Sequence, residues 1–298
     1  MRAFVTGAAG FVGRHLVPRL SRAGYEVVAT DVELEVSDAS AVEAAVASAA
    51  PALLVHLAAV RFVPESRADP ERTYRVNFLG TRAVLEAAAR AAPGARVLLA
   101  CSADQYGSAA PGAPPFTEAS PQRPRSPYAH TKVAADLLGA CYAARGLDVV
   151  RSRAFNHTGP GQAEGFVLPS FARQAVEIAL GRREPVMRVG NLASIRDFLD
   201  VEDVLEAYLA LADRALPAGV YNVASGHGVR IGDALEAILR LAGVEPRIEI
   251  DPERLRPTDQ AVGDAKRLRE ATGWAPRVAF ETTLERLVAH WRERLSAS

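Results

Sequence analysis

Cysteine, tryptophan and methionine each occur only twice in 298 residues, and aromatic residues make up 6% of the chain. The two cysteines, Cys101 and Cys141, lie in apolar stretches. They exclude a disulfide-stapled scaffold and point to a reducing compartment, so the cytoplasm is the expected location. An excess of either charge is also missing, since 35 Lys and Arg balance 35 Asp and Glu. Without a global field the chain is not drawn to nucleic acid or to an anionic membrane surface, and any phosphate it binds must be held by local groups. No run of about 18 uncharged apolar residues is present to cross a bilayer. Met1-Arg2-Ala3-Phe4-Val5 leads at once into a glycine-rich turn, so no signal peptide is expected. His15, His56, His130, His157, His227 and His290 lack metal-ligand spacing with one another or with cysteine, and no metal is expected. Apolar residues, by contrast, make up 49%, enough at this length for a sizeable core in one large or two ordinary domains.

Thr6-Gly7-Ala8-Ala9-Gly10-Phe11-Val12-Gly13 follows a short apolar strand and opens a helix whose apolar face carries Val12, Leu16 and Leu20. Strand, glycine-rich turn and helix in this order begin a βαβ unit. Gly7 permits the tight turn, Gly10 lets the backbone approach a pyrophosphate, and Gly13 lets the helix pack on the strand. The helix N-terminus, with Phe11 and Val12, offers amides and a partial positive charge to the phosphates. A second strand, Glu26 to Thr30, ends in Asp31, roughly 20 residues on, where a carboxylate bonds a ribose 2′-OH and repels a 2′-phosphate. Asp38 either caps the helix from Ser40 to Ala49 or reaches an adenine amino group. Leu53 to Ala59 is a continuous apolar run, as in a parallel strand covered on both faces. Its end, Leu57-Ala58-Ala59, leaves room for a coenzyme ribose.

Pro70 to Ala92 reads as one long helix. Asn77 in its middle is a poor mid-helix residue, so its amide either has a task at the coenzyme or faces solvent. The strand Arg96 to Ala100 ends at Cys101-Ser102-Ala103-Asp104, and a Pro/Gly-rich loop over 108–127 reads as a lid. Tyr128 and Lys132, four apart, then share one helix face. If the strand delivers Ser102 opposite Tyr128, a phenol, a hydroxyl and an ammonium converge, with the ammonium lowering the phenol pKa. That equipment reduces a ketone, or oxidises an alcohol, beside a nicotinamide. Gly7, Asp31, Ala58, Ser102 and Asn156 all fall at carboxyl ends of strands, where a doubly wound sheet binds its ligands.

The fold class predicted is therefore α/β, a Rossmann-type doubly wound parallel sheet with a smaller mixed α/β substrate domain. The expected boundaries are 1–154 plus about 192–222 for the first, and about 155–191 plus 223–298 for the second. Arg188, Arg196, Arg254 and Arg256 are each either surface residues or a bidentate grip on a diphosphate.

TGAAGFVG at 6–13, HLAA at 56–59, CSADQYG at 101–107, YAHTK at 128–132 and TGWAP at 272–276 together resemble the extended short-chain dehydrogenase/reductase family of sugar-nucleotide epimerases, dehydratases and reductases. Within it, VPESRADPERTYRVNFLGT at 63–81, RAFNHTGPGQ at 153–162, GNLASIRDFLDVEDVLEAY at 190–208 and VYNVASG at 220–226 are most similar to the ketoreductases of GDP-linked 6-deoxyhexoses. The resemblance implies NAD(P)H-dependent reduction of the C4 ketone of a nucleotide-diphosphate 4-keto-6-deoxy sugar, GDP-4-keto-6-deoxymannose foremost, to GDP-rhamnose. Ser102, Tyr128 and Lys132 are catalytic by this likeness, and Asn156, Arg196 and Arg256 hold the sugar nucleotide. Asp104 stands where the 4,6-dehydratases carry a glutamate, so a dehydratase or a 4-epimerase with retained coenzyme is the alternative; a non-catalytic dinucleotide sensor is a remote one. Asp31 favours NAD(H), while the shortened segment after it leaves room for NADP(H). A homodimer through the helices within 70–92 and 128–145 is also implied.

Overall fold

Each apolar strand of the first half is bounded by a turn and followed by a helix that returns the chain over a sheet face, which forces parallel pairing. The computed structural model describes residues 1–252 and 257–296. It opens with β1 (Arg2–Thr6), α1 (Gly13–Arg22), β2 (Glu26–Thr30), α2 (Ala39–Ala49) and β3 (Leu53–His56). Two short helices, α3 (Val63–Ala68) and α4 (Pro70–Tyr74), run through a π turn (Arg75–Leu79) into α5 (Gly80–Ala91). Then come β4 (Arg96–Ala100), a 3-10 turn (Ala103–Tyr106), α6 (Pro127–Ala143), β5 (Asp148–Ala154), β6 (Asn156–Thr158), α7 (Val167–Ala179) and β7 (Val186–Val189). The chain continues with β8 (Ile195–Asp200), α8 (Val201–Ala212), β9 (Gly219–Val223), β10 (Gly228–Arg230) and α9 (Ile231–Ala242). β11 (Arg247–Ile250), β12 (Gln260–Ala261), α10 (Lys266–Thr272) and α11 (Phe280–Ser296) complete it.

The large sheet has six parallel strands in the order β2-β1-β3-β4-β5-β9. Successive strands depart to opposite sides of β1, so the topological switch lies between β1 and β3, and a ligand crevice is expected beyond their carboxyl ends. Leu16, Leu20, Val204 and Leu211 fill one face of the sheet, from α1 and α8. Val42, Val46, Val84 and Leu85 fill the other, from α2 and α5. A separate core joins α7, α9 and α11 through Phe171, Ile238, Leu287 and Trp291.

β8 pairs with β6, β10 and β12 rather than with the large sheet, while α8 and β9 return to it. The chain rejoins the large sheet's core through α8. Leu268 and Trp274 also join the large sheet's core, because the Trp274 indole donates to the Asp203 carbonyl of α8 at 3.0 Å.

Two expectations change. The helix over 70–92 is interrupted by the π turn, a common device at functional sites. The stretch 108–127 is a strap rather than a lid. Ala109 and Gln260 exchange two backbone bonds of 2.8 Å, Phe116 donates to Val262 at 2.8 Å, and the Glu118 carboxylate accepts from the Asn222 amide at 2.8 Å. The Arg153 guanidinium donates to the Glu118 carbonyl at 3.0 Å, and Gln122 to Asp136 of α6 at 3.0 Å.

Candidate active site

The glycine turn is built for close approach. Gly7 has φ +72°, and a Cβ there would lie 2.6 Å from the Ala58 nitrogen, so the turn sits flush against the loop leaving β3. A Cβ on Gly13 would collide with the Gly7 carbonyl, which is why α1 can fold directly over the turn. Phe11 is buried and stacks on His157, linking the turn to β6. Leu57, Ala58 and Ala59 border the same crevice; the Leu57 amide donates to the Thr6 carbonyl at 3.1 Å. At the end of β2 the Asp31 carboxylate accepts from the Ala9 amide at 2.7 Å and from Val32 at 3.0 Å. The Asp31 amide donates to the Glu33 carboxylate at 2.7 Å, setting a second acid beside the first. Flush glycine turn, open helix N-terminus with Gly10 and Val12, and strand-end carboxylate fit a dinucleotide.

Asp38 caps α2, one oxygen accepting from the Ser40 and Ala41 amides at 3.0 Å each. Of its two readings the structure shows the cap. Asn77 is turned inward. It is 1% exposed, and the π turn aims its amide at protein: the oxygen accepts from Val60 at 2.7 Å, and the nitrogen donates to the Val60 carbonyl at 2.9 Å and to Thr131 at 3.0 Å. It does not face solvent, and its amide nitrogen donates twice to protein. It fixes the loop leaving β3 to α6.

Ser102 lies directly beyond β4, where it caps the 3-10 turn. Its hydroxyl accepts from the Asp104 amide at 3.2 Å, while the Gln105 side chain accepts from the Ser102 amide at 3.0 Å. This reciprocal cap was legible in the Ser-x-x-Gln spacing, yet Gln105 does not stand out among the candidate residues of the sequence. Opposite, Ser126 caps α6 by accepting from Ala129 at 3.1 Å, so the helix begins with Tyr128 and Lys132 on the inner face. The Tyr128 hydroxyl lies close enough to Ser102 for the serine to pull its pKa downward. The Lys132 ammonium lies 5.9 Å from the Tyr128 ring and donates to the Ala100 carbonyl at 2.7 Å.

Electrostatics depart from the sequence expectation. Desolvation, then the Asp104 charge, holds the Tyr128 phenol well above its usual range, against the lowering pull of Ser102. Desolvation also lowers the Lys132 pKa. The ammonium is hydrogen-bonded to a backbone carbonyl, and burial with the Asp104 charge outweighs the groups that lower the phenol's pKa. A phenol kept protonated is a proton donor.

Asp104 is exposed to the open crevice, yet enough protein surrounds its carboxyl for desolvation to push it upward, with Arg196 opposing. Arg196 is anchored by Asp259 at 2.7 Å and reaches the crevice beside Asp104. Asn156 donates to the Asp197 carbonyl at 3.2 Å, at the same edge. Arg188 is placed elsewhere. It is 70% exposed and paired with Glu249 at 3.5 Å across the two-stranded sheet of β7 and β11, a surface ion pair rather than part of this site. Arg254 and Arg256 lie outside the described residues.

Residues 4–287 match the family model described as GDP-mannose 4,6 dehydratase. The chain is 36% identical over 299 residues to GDP-6-deoxy-D-mannose reductase of Pseudomonas aeruginosa, covering 99% of this chain and 98% of that one. Among solved structures it resembles RMD from Pseudomonas aeruginosa complexed with NADPH, with TM-score 0.89, 36% identity, and coverage of 98% and 99%. It also resembles the Thermus thermophilus UDP-glucose 4-epimerase complexed with NAD, with TM-score 0.87, 29% identity, and coverage of 98% and 99%.

Proposed function

The chain belongs to the GDP-mannose 4,6 dehydratase family, within the extended short-chain dehydrogenases/reductases, and from that premise we propose that it reduces the C4 ketone of GDP-4-keto-6-deoxy-D-mannose to GDP-D-rhamnose with a nicotinamide coenzyme. The likeness to a GDP-6-deoxy-D-mannose reductase over the whole chain supports this substrate. The observation that carries this reading is the convergence of the Tyr128 phenol, Ser102 and the Lys132 ammonium at the end of β4, with burial raising the phenol's pKa.

The large sheet holds the coenzyme, and the unit built on α7, α9 and α11 holds the nucleotide sugar. Gly7, Gly10 and Gly13 receive the pyrophosphate, with Asp31 at the adenosine ribose. A reduced nicotinamide supplies the hydride. Ser102 donates to the substrate's O4 and orients the carbonyl, and Tyr128 gives its hydroxyl proton to the oxygen as negative charge develops there. Lys132 anchors the helix that carries Tyr128 and presents an ammonium at the ribose hydroxyls. Asn156 and Arg196 hold the sugar nucleotide.

Asp31 and Glu33 at the end of β2 favour NADH over NADPH, because a 2′-phosphate would meet two carboxylates. A homodimer is favoured by Tyr74, Leu79 and Leu137, which are 41%, 41% and 56% exposed on the helices of 70–92 and 128–145. We place the protein in the cytoplasm on its unpaired Cys101 and Cys141.

One observation favours a second reading. Asp104, an acid beside Tyr128 with its pKa raised, is suited to moving the C5 proton in a 4,6-dehydration of GDP-mannose. Coenzyme oxidation on mixing with the keto-sugar separates the two, since only the reductase consumes the coenzyme.

A further inference from the structure

Arg61 stands in the loop that leaves β3. Its guanidinium lies 5.6 Å from the centre of the Phe166 ring, and neighbouring Phe62 meets the same ring edge-on at 5.6 Å. It is near enough for charge interaction with Tyr128 of α6, Arg14 of α1, Glu65 of α3 and His157 of β6. Elements of both units thus converge on one side chain.

Despite that position, Arg61 makes no hydrogen bond or ion pair among the described residues, and it is exposed to the crevice. Glu65, the nearby acid, is engaged by Arg72 at 2.5 Å. Arg14, held by the Gly161 carbonyl, adds a second guanidinium to the same region. Two cations close together with no anion between them repel, and a bound anion would relieve both. A guanidinium laid on an aromatic ring is oriented as a planar fork, which suits the paired oxygens of phosphate.

We propose that Arg61, with Arg14 beside it, grips a diphosphate in this crevice, that of the nucleotide sugar or that of the dinucleotide. The proposal rests on the reading of the crevice as a coenzyme and sugar-nucleotide site. It assigns a phosphate contact to a residue that no sequence motif singled out.

Isothermal titration of the full-length protein with GDP and with NADH tests it, using wild type, Arg61→Gln and Arg61→Lys. Arg61→Gln is expected to weaken one of the two by about tenfold or more, with an unchanged unfolding midpoint, since a charge-assisted bond is lost from an exposed side chain. Arg61→Lys should recover part of the loss, and affinity in the Gln variant should fall less steeply with added salt. Loss on GDP assigns the grip to the sugar nucleotide; loss on NADH assigns it to the coenzyme. Unchanged affinity for both in Arg61→Gln overturns the proposal. Wild-type protein that takes up neither GDP nor NADH overturns it together with the reading on which it rests, and the wild-type titration alone identifies that case.

Discussion

The Lys132 ammonium donates to the Ala100 carbonyl at 2.7 Å, so the helix bearing Tyr128 is tied to the strand end that delivers Ser102. Asn77 ties the same helix to the loop leaving β3 through Thr131 and Val60. Two strand ends and one helix are thereby held in a single geometry, which a proton transfer over hydrogen-bond distance requires.

The proton donor is the most exposed point of this account. Tyr128→Phe removes one hydroxyl and keeps the ring. It should lower kcat by about 10²–10⁴, the usual contribution of a positioned acid. Coenzyme affinity, measured by fluorescence titration, should stay within about twofold, because an untouched glycine turn carries it. A variant with wild-type kcat would place the proton on another group, Asp104 first.

Coenzyme choice tests the end of β2. Asp31→Ala removes the carboxylate at this strand end and should raise the NADPH to NADH ratio of kcat/KM by about tenfold or more. An unchanged ratio would move the 2′-OH contact to a different residue.

Asn77→Ala leaves the Val60 amide and carbonyl and the Thr131 hydroxyl without their buried partner. A loss of about 2–3 kcal/mol in urea unfolding is expected from such unpaired groups. Coenzyme KM should change less than kcat, because the helix that carries Tyr128 shifts. A selective loss of coenzyme affinity with unaltered stability would return Asn77 to the coenzyme.

Acid should destabilise the fold through His56. Its Nδ1 is 2.7 Å from the Thr6 hydroxyl and its Nε2 is 3.1 Å from that of Thr81. Thr81 gives its own proton to the Asn77 carbonyl, so the ring donates from Nε2 and accepts at Nδ1, and it is neutral. Burial, with a smaller push from Lys132, lowers its pKa from 6.5 to about 3. A group whose folded pKa is depressed holds its stabilisation above the unfolded value and loses it as pH falls toward the folded one. From this residue alone, stability at pH ~5 should be about 2 kcal/mol below that at pH ~7.5. Urea titrations of wild type and His56→Gln should show that the variant loses this part of the acid slope; identical slopes would contradict it.

Much of this was legible in the sequence for local reasons. Gly7, Gly10 and Gly13 need only a strand before them and a helix after, and Tyr128 and Lys132 share a face by helix periodicity. Helix Val201–Ala212 and strand Glu26–Thr30 have the bounds their apolar spacing predicts. What was not legible depends on pairing between distant residues. The strap over 108–127 is pinned by Gln260, Val262 and Asn222, more than a hundred positions on, and composition alone made it a lid. Arg188 could be assigned to the surface only once β7 was seen beside β11. The raised Tyr128 pKa follows from burial and from the Asp104 charge, neither of which spacing encodes.

The most direct measurement mixes the purified protein with GDP-4-keto-6-deoxy-D-mannose and follows the absorbance of added NADH, then of NADPH, while the sugar product is identified. The account predicts one coenzyme oxidised for each GDP-D-rhamnose formed, faster with NADH. No oxidation with either coenzyme, together with turnover of GDP-mannose in the absence of added coenzyme, would contradict it and make Asp104 the centre of the chemistry.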